Sequence, residues 1–220
     1  MELIVGRPAL LVIDMQHDFL DEGVPLEAAG GRDIIPSVAR TVAAVRQAGV
    51  PVIFTQEAHR PGRVDSGREA DLGMGSAHWY HGGSDQVPLP EHCVEGTPGI
   101  GIVDGVGYQA GDFRIVKRRY SCFLGTDLDL LLRGLGVQTL LVTGVDSNVC
   151  VLWTTGDGFQ LDYHVRVLED CTAGTTSEEH EAALLIIRAL TMGRPVYSGE
   201  VISALGVREA LPDAFVNQPG

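Results

Sequence analysis

The stretch Ala9-Leu10-Leu11-Val12-Ile13-Asp14 decides the fold. Five apolar residues in a row, without alternation, mark a strand buried on both faces, and such strands belong to parallel sheets with helices on either side. A carboxylate follows the run at once. Four more runs of the same kind stand at 50–55, 113–116, 139–143 and 165–168. The segments between them carry helical signals. Pro36 sits where a first helical turn begins, Val38, Val42 and Val45 follow at helical spacing, and Gly49 offers a stop. Thr126 reads as an N-cap, with Asp129 three residues on, before Leu128, Leu131, Leu132 and Leu135. A third helix spans 177–190, with Ala182, Leu185, Ile186 and Ala189 as its apolar stripe. Strands alternating with helices predict an α/β fold, a three-layer sandwich around a central, mostly parallel sheet.

The 220 residues suit one domain spanning 1–220. The rhythm breaks between 61 and 111, a Gly-, Pro- and His-rich region carrying Trp79, Tyr80, His78, His81 and His92. Irregular segments of that length are usually functional, and this one reads as a cover over a site. The formal charge is −13, from 16 basic and 29 acidic residues. Such a chain repels phosphate backbones and anionic lipids, which argues against nucleic acid or a membrane surface as partner. The first residues lack a basic segment leading into a long apolar one, so a cytoplasmic location is expected. The four cysteines, Cys93, Cys122, Cys150 and Cys171, are widely spaced and read as free thiols.

Ligands of parallel sheets bind beyond the carboxyl ends of the strands. Asp14, Lys117 and Cys150 all fall there. Cys150 follows the turn Gly144-Val145-Asp146-Ser147-Asn148-Val149 and is expected in the first turn of a helix. Free N–H groups and the helix dipole there, with a lysine nearby, lower a thiol pKa and favour the nucleophilic thiolate. Asp14 then takes the thiol proton and returns it to a leaving amine.

Local sequence sharpens this reading. The run from Ala9 to Phe19, the segment Lys117-Arg118-Arg119-Tyr120-Ser121-Cys122-Phe123 with Gly125-Thr126-Asp127-Leu128, and the turn 144–151 together resemble the isochorismatase-like cysteine hydrolases. The resemblance covers nearly the whole chain. It implies a Rossmann-like sandwich, catalytic Asp14, Lys117 and Cys150, a cis peptide between Val145 and Asp146, and an oxyanion hole from the N–H groups of Asp146 and Cys150. Ser147 stands where the family usually has Thr. Asp146 stands where a small or apolar residue or Thr is usual, and its side chain is expected to point away from the site or to meet a cation. Members with all three catalytic residues hydrolyse amides, ureides or carbamoyl compounds, which makes the implied substrate a small amide or ureide. Gln16, Arg60, Tyr120 and Phe123 are the candidate substrate contacts.

Glu57 and His59 occupy the place of metal ligands in the related nicotinamidases, where His78 or His81 could complete a set. Glu-Ala-His replaces the Asp-Trp-His of those enzymes, so the pair is read as structural or substrate-orienting, with no metal and no cofactor. The resemblance also implies a homodimer or homotetramer. Two rivals stand beside the main reading: a metal-assisted nicotinamidase-type amidase, and a non-catalytic binding protein that keeps the fold.

Overall fold

A computed structural model describes residues 2–67 and 92–207. The expected cover therefore lies partly outside the described residues, with Trp79, Tyr80, His78 and His81, and so does the tail after 207. Five strands form one sheet: β1 (Arg7–Ile13), β2 (Val52–Glu57), β3 (Phe113–Lys117), β4 (Val137–Gly144) and β5 (His164–Thr172). Every pairing is parallel and the order is β3-β2-β1-β4-β5. The helices are α1 (His17–Leu20), α2 (Ile35–Gln47), α3 (Leu128–Gly134), α4 (Leu152–Gln160), α5 (Ser177–Leu190) and α6 (Ser198–Ala204).

Period-two alternation splits the buried side chains between two cores. Leu10, Val12 and Phe54 pack with Val38, Val42 and Val45 of α2 on one face. Leu11, Ile13, Ile53 and Ile115 pack with Leu128, Leu132 and Cys150 on the other. The central strand β1 is fully buried from Ala9 to Ile13, as its unbroken apolar run predicts. The chain switches direction in the sheet between β2 and β4, on either side of β1, and that is where the site forms.

Three local expectations are corrected. Strand β3 is at the sheet edge, with Phe113, Arg114 and Val116 exposed, so its apolar run is not buried on both faces. No capping box forms at α3. Thr126 Oγ1 does accept from the Leu128 N–H, but Asp129 turns to Arg133 and the Tyr163 hydroxyl. Helix α5 runs over the expected residues, yet it buries Ala183, Leu184 and Ile187, while Ala182, Leu185, Ile186 and Ala189 face outward. The helix carries two apolar faces, and spacing alone does not say which is inside.

Two glycines hold backbones close to the site. A Cβ at Gly144, where φ is +105°, would stand 2.0 Å from the Ile13 carbonyl oxygen. One at Gly174 would stand 2.7 Å from Ser147 Oγ. Both approaches bring the turn at 144–151 against its neighbours.

Candidate active site

Asp14 leaves β1 at φ +51°, in the left-handed region that few non-glycine residues adopt. Thr55 on β2 holds it there from two sides. The Asp14 N–H donates to Thr55 Oγ1 (3.1 Å), and the same hydroxyl donates to Asp14 Oδ1 (2.7 Å). Lys117 ends β3, and parallel register sets it directly beside Glu57 at the end of β2. Its buried ammonium lies 2.7 Å from Asp14 Oδ2, 2.9 Å from Glu57 Oε2 and 3.3 Å from Cys150 Sγ. A further Nζ–H donates to the Arg119 carbonyl (3.1 Å). Asp14, Lys117 and Cys150, placed at strand ends by sequence, thus meet around one nitrogen.

Cys150 lies in a single π-helical turn, Ser147–Val151, ahead of α4, rather than in the first turn of the α-helix itself. The turn is tied to the β5–α5 connection. The Ser147 N–H donates to the Ala173 carbonyl (2.8 Å), Ser147 Oγ and His180 Nδ1 are 2.8 Å apart, and Asn148 bonds Thr175 through both its amide nitrogen and oxygen. The Val145–Asp146 peptide is cis. The Asp146 carbonyl accepts from the N–H groups of Val149 and Val151. The Asp146 side chain is buried, and its charge acts on Cys150.

The electrostatics correct one expectation. The Cys150 pKa is well above its ordinary value, not below it. Burial is the largest cause; Lys117 opposes it, but Asp14, Glu57 and Asp146 all add to it. At rest the sulfur is therefore a thiol. Burial also raises Asp14 above the usual carboxylate value, with Lys117 opposing and Glu57 reinforcing. Glu57 goes the other way. Burial would raise it, but the Lys117 charge, with hydrogen bonds from His59 and Lys117, holds it far below the usual range. Lys117 stays firmly protonated: burial works against its charge, and Asp14, Cys150 and Glu57 outweigh burial. Burial pushes the remaining thiols up as well, Cys122 to about 12, Cys171 to about 11 and Cys93 well above its ordinary value.

The expected substrate contacts separate. Gln16 is a strut: its amide donates to the Glu57 and Ile100 carbonyls (2.9 and 3.1 Å) and accepts from the Glu57 N–H (2.8 Å). Arg60 is exposed and its guanidinium pairs with Asp65 (2.9 Å). Phe123 stacks on Tyr163 with ring centroids 5.9 Å apart and belongs to the core. Tyr120 lines a cleft of about 460 Å³ together with Ser66, Arg119, Ser121, Leu124, Trp153 and Asp157. Trp153 is one helical turn after Cys150. Arg119 Nη1 donates to the Asp65 and Arg118 carbonyls (2.6 and 2.5 Å). Among the described residues this guanidinium meets no carboxylate in an ion pair.

Sequence reading singles out Glu57 as one of a structural or substrate-orienting pair with His59, without its contact to Lys117, and passes over Thr55 and His180. Glu57 carried the same signal as Asp14 and Lys117, a charged residue at the carboxyl end of a parallel strand. Thr55 shares its face by period two. His180 had no signal, since α5 is brought to the turn only by the fold.

Asp14, Glu57 and Cys150 present ligand atoms within 4.8 Å of one another, a set that could grip a metal ion. It does not fit one here. An ion at ordinary metal–ligand distances, about 2.0–2.3 Å, would crowd the Lys117 ammonium that already touches all three. Glu57 Oε1 is 3.2 Å from His59 Nε2, and the histidine ring is buried, with Asp65 Oδ1 3.5 Å from its other nitrogen. The loop histidines that could complete a separate set lie outside the described residues.

Comparison with known proteins gives the family and the fold. The isochorismatase domain model matches residues 8–200. A probable inactive nicotinamidase from Arabidopsis thaliana is 38% identical over 191 residues, covering 85% of this chain and 91% of its own. The ureidoacrylate amidohydrolase RutB from Yersinia enterocolitica is 37% identical over 175 residues, 74% of each chain. Among solved structures, an isochorismatase-like hydrolase from Alkaliphilus metalliredigens superposes with a TM-score of 0.77 at 33% identity, covering 90% of this chain and 99% of that one.

Proposed function

The chain belongs to the isochorismatase family, and we propose that within it this protein is a cysteine amidohydrolase cleaving the C–N bond of a small amide, ureide or N-carbamoyl compound. The observation that carries the reading is the Lys117 ammonium in contact with both Asp14 and Cys150, 2.7 and 3.3 Å away. A carboxylate that holds its proton more readily than usual is suited to take one from a thiol and give it back. An adjacent ammonium lowers the cost of the thiolate.

In the proposed cycle the Cys150 S–H proton passes to Asp14 as sulfur attacks the carbonyl carbon. The net charge of the centre is unchanged by that transfer. The N–H groups of Asp146 and Cys150 receive the oxyanion. The C–N bond breaks, Asp14 protonates the departing amine, and a thioester on Cys150 remains. Water cleaves it, with Asp14 as base, and restores the thiol. The amine released is ammonia for primary amides and terminal ureides. The relative named a ureidoacrylate amidohydrolase acts on a substrate of this kind, whereas the nicotinamidase relative is named a probable inactive one.

We place the rest of the substrate in the cleft lined by Tyr120, Leu124 and Trp153, with the Arg119 cation and the Asp157 carboxylate, because the Arg119 carbonyl accepts from Lys117 Nζ and Trp153 follows Cys150 by about one helical turn. We propose that the whole chain, 1–220, works as one domain, in the cytoplasm, where thiols stay reduced. All four cysteines are free, and among the described residues no helix is long and apolar enough to cross a membrane. Self-association through the outward stripe Ala182, Leu185, Ile186 and Ala189 completes the proposal, since Leu185 is 67% and Ile186 50% exposed.

Ammonia release from biuret, N-carbamoyl amino acids, ureidoacrylate, maleamate and nicotinamide tests the reading, with Cys150→Ser as the control. Release by the parent alone supports it. Equal release by both proteins contradicts it. Chelator-sensitive release, restored by zinc or iron, would favour the metal-assisted rival.

A further inference from the structure

The reaction centre holds two carboxylates around one ammonium, and the cycle above uses only one of them. Glu57 is 5% exposed and gripped on every side. Oε2 receives the Lys117 ammonium at 2.9 Å and lies 3.7 Å from Cys150 Sγ. Oε1 faces His59 Nε2 at 3.2 Å. The Gln16 amide fixes the backbone behind it through the Glu57 N–H and carbonyl. Among the described residues the Asp14 carboxylate meets Thr55 and Lys117.

These differences give the two carboxylates different work. A carboxylate clamped by an ammonium and a histidine is a weak base, although it is the one the resting S–H faces. It cannot be the proton carrier while it stays ionised, but its charge is felt by every group around it. The charged groups facing Cys150 are Lys117, Asp14, Glu57 and Asp146; those facing Glu57 are Lys117 and His59, with Asp14 across the ammonium.

We propose that Glu57 is a positioning residue of the reaction centre: its fixed negative charge holds the Lys117 ammonium between Asp14 and Cys150 and keeps the sulfur a thiol until Asp14 takes its proton. The proposal rests on the reading of Cys150 as nucleophile. It adds a resting state in which the buried thiol is protected from casual alkylation and oxidation, because the thiolate forms only as the proton moves to Asp14.

The test is the pH dependence of Cys150 alkylation by iodoacetamide, read by mass spectrometry of the full chain, with Cys150→Ala as the blank. It needs no substrate, so it is independent of whether the right amide has been found. Glu57→Gln removes the charge and keeps the shape. Labelling at pH 7 is expected to quicken about tenfold, the effect of one unit in the thiol pKa. With a substrate in hand, kcat should fall at least about tenfold while KM moves less than about threefold, the pattern of a lost transition-state interaction. The acid limb of kcat/KM should shift to lower pH, since Asp14 loses a neighbouring anion. Glu57→Asp keeps the charge but draws it back, and should fall between parent and Glu57→Gln; if Glu57→Gln does not fold, Glu57→Asp against the parent carries the test. Unchanged labelling in the folded variants, equal shifts in both, or no Cys150 labelling in any protein would overturn the proposal. So would loss of activity in Glu57→Gln as complete as in Asp14→Asn with no gain in labelling, which would make Glu57 the base.

Discussion

The floor of the site and its rim differ in kind. On the floor, Asp14, Glu57, Lys117 and Cys150 are all at most 5% exposed, and each is held by neighbours on a different strand or turn. At the rim, Trp153 is 57% and Leu124 60% exposed, and among the described residues the Arg119 guanidinium meets backbone carbonyls rather than a carboxylate. The floor can be rigid because its charges satisfy one another, and parallel register places the pair that matters, Glu57 beside Lys117. The rim carries exposed apolar surface, the Arg119 cation and the Asp157 carboxylate. On the proposed reading, reaction type belongs to the floor and choice of substrate to the rim.

That division can be broken by substitution. Cys150→Ala should lower kcat/KM by at least about ten-thousandfold, as removal of a nucleophile does, with the thermal midpoint little changed. Comparable turnover in the variant would empty the floor of its assigned role. Lys117→Met leaves two carboxylates buried without their cation, and should cost about 3–5 kcal/mol of stability at pH 7, measured by urea unfolding. The sign with pH follows from Glu57, whose folded pKa is depressed. The stability it gains from Lys117 is present above its ordinary 4.5 and fades as pH falls below that, so parent and variant should converge in acid. A gap that widened in acid would contradict the ionic account.

Gln16→Ala sharpens the comparison from the other side. Gln16 belongs to the floor as a strut, so its loss should cost about 1–3 kcal/mol from stranded buried groups, with KM unchanged within about twofold. A large rise in KM with unchanged stability would return it to the substrate. The smallest effect is expected at the rim. Trp153→Ala should raise KM about tenfold, roughly the loss of one well-packed aromatic contact (about 1.4 kcal/mol), and leave kcat and the pH profile alone.

Much of the floor was legible in the sequence because apolar runs announce strands, and charged residues at their carboxyl ends stand out. Asp14, after the fully buried β1, and Lys117, at the end of the edge strand β3, are both of that kind. Glu57 was equally placed, and is read from sequence with His59 as a structural or substrate-orienting pair; its contacts with Lys117 and Cys150 appear only in the fold. Periodicity failed at α5, where Leu185 and Ile186 are as apolar as the buried Leu184 and Ile187, so only tertiary packing tells the faces apart. The Cys150 pKa was misjudged for a related reason. A lysine nearby could be inferred, but the burial and the second carboxylate that outweigh it appear only when four segments meet.

The most direct test of the central claim is to trap the acyl-enzyme. The parent protein is mixed with a substrate that releases ammonia, quenched in acid within the first turnovers, and digested for mass spectrometry. The account predicts an added acyl mass on the peptide carrying Cys150, absent from Cys150→Ala and lost on chasing in buffer. Steady ammonia release with no adduct on Cys150 at any quench time, and activity surviving in Cys150→Ala, would show that water attacks the substrate directly and that the cysteine is not the nucleophile.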